Sequence, residues 1–233
     1  MRLDKYLSNA GLGSRKDVKN IISSGRVTVN GTPVKDGGFH ITEADDVVCA
    51  GNAVLNHTCC YIMMNKPKGV ITATEDASQK TVMDLLPAGM PKGLSPVGRL
   101  DIDTVGLLLI TNDGVLAHRL ISPKSHVDKV YYVRTDAPLS RADVDAFASS
   151  ITLKDGTRLL PAILSIDKDD DRAGYVTISE GKYHQVKRMF AACNNRVTYL
   201  KRISFGPLSL DESLPEGAFR ELTDDEISLL KDL

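Results

Sequence analysis

Residues 97–114, VGRLDIDTVGLLLITNDG, are the stretch from which the rest of this sequence can be read. A charged loop carrying Arg99, Asp101 and Asp103 runs into an apolar strand and closes in an Asn112-Asp113-Gly114 turn. By residue type alone, Asp101 could simply pair with Arg99 or cap the loop, the commonest fate of an isolated Arg-x-Asp. Working outward, strands are predicted over 106–111, 129–134 and 174–179, and another over 61–64 that enters the turn Asn65-Lys66-Pro67-Lys68-Gly69 and resumes extended structure over 70–72. Short helices are predicted over 79–86 and 114–121, and Met63 and Met64 are expected in the core. This order, with no nucleotide-binding glycine signature, predicts an α+β fold: a mixed, mainly antiparallel sheet with flanking helices.

Upstream, Leu3, Tyr6, Leu7 and Ala10 recur at helical spacing, and this helix is expected to stop at Gly11-Leu12-Gly13. Ser14 is the candidate N-cap of a second helix, with Asp17 three residues on, Val18, Ile21 and Ile22 as its buried face and Gly25 as its end. Residues 26–31 then alternate like a strand into an Asn30-Gly31 hairpin turn, and residues 45–48 supply a closing strand. A helix-helix-strand module is therefore expected over 1–57. GNAVLNHT at 51–58 reads as a linker, with a second domain over 58–233.

Hydrophobic residues at 42% and charged residues at 25% of 233 are ordinary for globular protein, and no apolar run approaches a bilayer span, so a soluble protein is expected. The N-terminal segment has no apolar signal core, which places the expected location in the cytoplasm. Cys49, Cys59, Cys60 and Cys193 form no CxxC pair and lack histidines at zinc spacing, which argues against a metal centre and for buried or idle thiols. The net charge of −1 conceals an uneven distribution. Residues 1–35 hold Arg2, Lys5, Arg15, Lys16, Lys19, Arg26 and Lys35 against Asp4 and Asp17, while 181–202 hold six basic residues and no acidic one. Phosphate affinity depends on such clusters, not on the total. The acidic run at 167–171 and the tail from Asp211 onward are expected to be solvated surface.

The order RLDKYL, GLGSRK, GRVTVNG resembles the S4-type RNA-binding domain, which implies Arg2, Lys5, Arg15, Lys16 and Arg26 as phosphate contacts that position RNA without reading much sequence. GRLDIDTVGLLLITNDG resembles the catalytic signature of the RsuA-type pseudouridine synthases, in which the aspartate of GRLD, here Asp101, is the essential residue. HVDKVYYV at 126–133 resembles that family's K-x-Y strand, whose tyrosine, here Tyr131, stacks on the target base. Strand alternation turns Tyr132 to the opposite face, as core or sheet surface. EGKYHQVKRMFAA at 180–192 resembles the third family motif, in which the basic residue after HQV, here Lys187, pairs with the aspartate. Many relatives carry arginine there, and lysine offers a point charge in place of a bidentate fork. His184 has no serine or cysteine nucleophile beside it and reads as a structural histidine. FGPL at 205–208 and LPEGAFREL at 214–222 extend the resemblance over nearly the whole chain.

The resemblance implies isomerisation of a uridine in ribosomal RNA with no cofactor and no metal. It implies a cytoplasmic monomer without membrane association. RLDIDT, HVDKVYYV and MRLDKYL are most similar to the enzyme acting on 16S, the small-subunit rRNA, either naked or within a precursor particle. Large-subunit 23S rRNA is the alternative substrate. A non-catalytic ribosome-assembly protein is a reading of a different class, marked by loss of Asp101, Tyr131 or the motif-three base, and all three positions are filled. The uracil must leave its stack at a cost on the order of a few kcal/mol, and Arg99 is the candidate wedge for the gap. Asp101 could act as a nucleophile toward the sugar or as a base on its 2′ hydrogen.

Overall fold

In a computed structural model, which describes residues 1–10, 12–42, 44–54 and 59–233, the first unit is built on a capped helix and two tight hairpins. Helices α1 (Leu3–Asn9) and α2 (Arg15–Ser23) contribute Leu3, Tyr6, Leu7, Val18 and Ile22 to one buried cluster. The Ser14 hydroxyl accepts from the Asp17 N–H, and the Asp17 carboxylate accepts from the Ser14 N–H at 3.0 Å, a reciprocal cap that starts α2. Strand β1 (Val27–Val29) turns through Asn30 and Gly31, with φ of 50° and 78°, into β2 (Thr32–Pro33). Two successive positive φ angles are what a type I′ hairpin requires.

The same device recurs where the sequence reads as linker. Strand β3 (Val47–Cys49), antiparallel to β1, turns through Ala50 and Gly51, with φ of 50° and 82°, into β4 (Asn52–Ala53). The sheet order is β2-β1-β3-β4. The described residues divide into Met1–Cys59 with Pro91–Gly93, and Cys60–Met90 with Leu94–Leu233. Gly11, expected to break the first helix, and the expected boundary at 57/58 lie outside the described residues.

The second unit contains β5 (Tyr61–Lys66), β6 (Ser95–Pro96), β7 (Val105–Thr111), α3 (Gly114–Ile121), β8 (Lys129–Thr135), α4 (Arg141–Ala148), β9 (Ile163–Ile166), β10 (Ala173–Ile178), α5 (Gln185–Ala192), β11 (Val197–Phe205), β12 (Leu208–Ser209), β13 (Phe219–Glu221) and α6 (Asp224–Lys231). Among the described residues its strands form one sheet in the order β13-β5-β7-β11-β8-β10-β9, with β12 beside β11 and β6 beside β7. The β7–β11 pair is parallel and the other pairings are antiparallel. Every residue of β5 and β7 is buried. Ile62, Met64, Leu108 and Ile110 join one core with Phe147 of α4 and Phe190 of α5. Tyr61, Met63, Leu107 and Leu109 join a second core with Leu116 and Leu120 of α3 and Leu230 of α6. Helices therefore cover both faces of these strands, so neither strand alternates with polar residues.

Three expectations are corrected. Residues 70–72 form no strand, only an isolated bridge between Ile71 and Thr81. Residues 79–86 form no α-helix, only a 3-10 turn over Met83–Leu85, because Pro87 holds Leu86 in extended conformation (φ −86°, ψ 144°) and stops the helix after one turn. The acidic tail is not simply solvated: Asp211 and Glu226 both pair with Arg220 at 2.8 Å, and Glu226 also closes the capping box of α6. At the end of β7 the Asn-Asp-Gly turn doubles as a helix start, since the Asp113 carboxylate accepts from the N–H groups of Val115 and Leu116.

Gly106 sits in β7 opposite Arg202 of β11 with φ +101°, and a Cβ there would stand 2.3 Å from the Arg202 carbonyl oxygen. Neither the space nor the backbone conformation admits a side chain. Gly106→Ala is expected to destabilise the protein by about 2 kcal/mol or more, read as a lower urea midpoint at unchanged m-value. An unchanged midpoint would show that β7 and β11 can separate there without cost.

Candidate active site

The loop before β7 is clamped by its own neighbours before any charge is considered. The Thr72 hydroxyl donates to the Leu100 carbonyl at 2.8 Å and accepts from the Leu100 N–H at 3.1 Å. The Thr104 N–H closes a turn on the Asp101 carbonyl at 3.1 Å, and the Gly69 N–H reaches the Ile102 carbonyl at 2.8 Å. From beneath, the fully buried Lys66 at the end of β5 donates from Nζ to the carbonyls of Pro67 (3.1 Å), Asp101 (3.1 Å) and Thr104 (2.9 Å). All three ammonium protons have acceptors, which is how a lysine can be tolerated there.

The Asp101 side chain faces the start of α5. Its Oδ2 accepts from Lys187 Nζ at 2.8 Å, and its Oδ1 lies 3.4 Å from His184 Nε2. Lys187 Nζ also bonds Asp103 Oδ1, so one ammonium serves two carboxylates. The α5 start is fixed by buried Gln185, whose Oε1 accepts from the Lys182 N–H and whose Nε2 donates to Glu180, each at 2.9 Å. His184 enters the helix in the left-handed conformation (φ 49°) with its ring stacked on Tyr183 at 3.8 Å. Tyr131 of β8 is buried, while Tyr132 turns to the other side and packs edge-on against Tyr175 and Tyr199. Asp101, Tyr131 and Lys187 line one cavity of about 70 Å³, walled by Ile178, Val186 and Leu200.

Electrostatics follow from this geometry. Burial pushes the Lys187 ammonium down, but its bonds to Asp101 and Asp103 outweigh that and leave it above the ordinary lysine range. Burial raises the Asp103 carboxyl, and Lys187 more than offsets this, so it ends below the ordinary range. For Lys66 burial dominates, partly countered by Asp103 and Asp101, and its value falls from 10.5 to about 8. The site sets a carboxylate, paired with an ammonium, beside a small, partly apolar cavity.

The structure brings Asp101, Tyr131 and Lys187 together and leaves Arg99 exposed at the cavity rim, with no ion pair to Asp101. His184, expected to be structural, contacts Asp101. Asp103 and Lys66 were not anticipated. Asp103 lies only two residues from Asp101, but its contact with Lys187 spans 84 residues and leaves no local signal. In the other unit Lys5, Arg15, Lys16 and Arg26 are exposed, and Arg2 pairs with Asp4 at 2.7 Å. Such a surface pair is weak enough for phosphate to displace. Among the described residues no group of three or more His, Cys, Asp or Glu could hold a metal ion, and no helix is long and apolar enough to cross a membrane.

Comparison with known proteins adds an independent line. The RNA pseudouridylate synthase profile matches residues 60–192 and the S4 domain profile matches residues 1–48. The chain is 48% identical over 236 residues to an uncharacterized RNA pseudouridine synthase, YtzG, of Bacillus subtilis strain 168, covering 100% of this chain and 99% of that one. It is 42% identical over 229 residues to ribosomal small subunit pseudouridine synthase A of Vibrio cholerae, covering 98% of each. A solved structure described as a pseudouridylate synthase superposes with a TM-score of 0.72 at 39% identity, covering 99% of both chains.

Lys66 gives the site a titration of definite sign. Folding lowers its value from 10.5 to about 8, so the unfolded chain binds more protons in that window and unfolding free energy rises with pH there. This contribution is fully present above pH 10.5 and is lost as pH falls through about 8. Urea midpoints of the wild type, relative to Lys66→Met, are expected to climb across the window. Parallel pH curves for the two proteins would contradict the assignment.

Proposed function

This chain belongs to the RNA pseudouridylate synthase family, and from that premise we propose that Asp101 is the carboxylate with which it converts uridine to pseudouridine in small-subunit ribosomal RNA. The activity is that of an RNA pseudouridine synthase, an isomerase, and the S4 domain is its RNA-binding module. The observation that carries the role of Asp101 is its ion pair with Lys187 at 2.8 Å in the same cavity as Tyr131.

The reaction breaks the bond from the sugar to uracil N1 and remakes it to C5. The C5 hydrogen leaves as a proton and N1 gains one, so atoms balance without an external reagent. In our reading Lys187, bonded to Asp101 Oδ2 at 2.8 Å, holds the carboxylate in place and aims it at the ribose. The carboxylate then acts as nucleophile toward the sugar or as base on its 2′ hydrogen. Tyr131 supplies a face for the extruded base, and exposed Arg99 fills the gap the base leaves in the RNA. Arg2, Lys5, Arg15, Lys16 and Arg26 hold phosphates that orient the substrate. We further place the reaction in the cytoplasm, carried out by a monomer on 16S rRNA or a precursor small-subunit particle.

Asp101→Asn keeps the shape of the side chain and removes its charge. It is expected to lower tritium release from 5-labelled uridine in 16S rRNA by about 10² or more, while RNA binding persists. Activity within tenfold of wild type would remove Asp101 from the mechanism. Arg15→Glu combined with Lys16→Glu is expected to flatten the dependence of log affinity on log salt by about 1 to 2 units. An unchanged slope would mean that these two cations meet no phosphate.

A further inference from the structure

A second cavity, of about 200 Å³, shares Tyr131, Arg99, Gly181 and Lys182 with the Asp101 cavity and extends from it to Lys129, Arg202 and Phe205. That volume holds several waters at about 30 Å³ each. Two cations line it from adjacent strands. In the antiparallel β8–β11 register, Arg202 lies opposite Tyr131 and Phe205 opposite Lys129. Lys129 Nζ and Arg202 Cζ stand 5.6 Å and 5.0 Å from the centroid of the Phe205 ring.

Neither cation has an anionic partner among the described ion pairs. Arg202 is 3% exposed, gives Nε to the Leu107 carbonyl at 2.8 Å, and leaves a buried Nη2 without a hydrogen-bond partner. Half-buried Lys129 donates to the Val127 carbonyl and has two further ammonium protons. Burial depresses the Lys129 value, Arg202 depresses it further, and Asp128 offsets this in part. Glu180, the acid lining the cavity, is already committed: Oε1 accepts from the Leu160 N–H and from Gln185 Nε2, and Oε2 faces Lys182 at 3.3 Å. An aromatic face offsets part of a cation's desolvation and does not neutralise it. Two like charges held this way, one with an unmade hydrogen bond, are costly in the free protein and well placed for an anion.

We propose that the Lys129–Arg202 cavity is a phosphate site that takes a backbone phosphate next to the target uridine. Lys129 is the reachable donor, and Arg202 lies behind it as a fixed source of positive potential. The site shares Tyr131 with the Asp101 cavity, so a nucleotide stacked on that ring has its own or its neighbour's phosphate at the cavity mouth. This rests on the RNA-isomerase reading above and adds the part of the substrate that is held.

The test uses the full chain and a 16S rRNA fragment carrying one neutral methylphosphonate at a time around the target. For the wild type, one flanking position is expected to raise KM about tenfold with kcat within about twofold, the loss of one charged hydrogen bond. Lys129→Met is expected to raise KM for unmodified RNA by about the same factor, to become insensitive to that methylphosphonate, and to lower the salt slope by about 0.7–0.9. Lys129→Arg is expected to restore both. Inorganic phosphate at constant ionic strength is expected to compete more strongly against wild type than against Lys129→Met. A wild-type KM and slope in Lys129→Met would overturn the site. Competition by inorganic phosphate with no methylphosphonate effect would overturn the RNA backbone as its occupant. In either case, turnover of saturating RNA by Lys129→Met leaves the isomerase reading standing. Absence of turnover by the wild type would count against that reading, and inorganic phosphate competition against RNA binding would still report on the site.

Discussion

The ammonium of Lys66, buried at the end of β5 and bonded to the carbonyls of Pro67, Asp101 and Thr104, is the interaction on which the rest of the site depends. It joins the turn after β5 to the loop before β7, so the backbone of Asp101 is tied to the sheet itself. Burying a lone cation is tolerable because three main-chain dipoles receive its protons. One rung along, the same register sets Lys66 against Gly106, whose missing side chain lets β11 approach from the other side. β11 then supplies Leu200 to the Asp101 cavity and Arg202 to its neighbour. Sheet packing and site geometry are thus one arrangement.

On that frame the electrostatics are local. Lys187 in the first turn of α5 gives one proton to Asp101 and another to Asp103. A guanidinium fork matches a single carboxylate in bidentate fashion, whereas an ammonium can point its protons at separate acceptors. Lysine at 187 and aspartate at 103 therefore suit each other, and the cost of holding two acids close is met by one shared cation. His184 approaches Asp101 from the opposite oxygen, with its ring held against Tyr183. The carboxylate is constrained on both oxygens while its backbone is held from below.

Much of this was legible in the sequence, and the exceptions have physical reasons. The Ser14–Asp17 cap, the Asn30-Gly31 turn and the apolar runs of β5 and β7 are local signals, and each formed the element expected. The hairpin at Ala50-Gly51 passed as linker because alanine is a poor marker for a positive φ. Residues 79–86 read as a helix until Pro87 is weighed, and then only one 3-10 turn remains. α5 begins at a left-handed His184 and is anchored by the Gln185–Glu180 contact, so it has no ordinary N-cap to read. The contacts of Lys187 with Asp101 and Asp103 span 86 and 84 residues, and only the fold brings them together. The resemblance pointed to Asp101, Tyr131 and Lys187 by motif and included Lys129 as the lysine of K-x-Y without giving it a role, but it was silent on Asp103, on Lys66 and on Arg202.

The assignment at stake is the action of this carboxylate site on uridine in small-subunit ribosomal RNA. It is tested most directly by mapping every pseudouridine in the rRNA of cells with and without the gene. One 16S position is expected to lose its pseudouridine, with the 23S map unchanged. An identical 16S map in the two strains, or a loss confined to 23S rRNA, would contradict it.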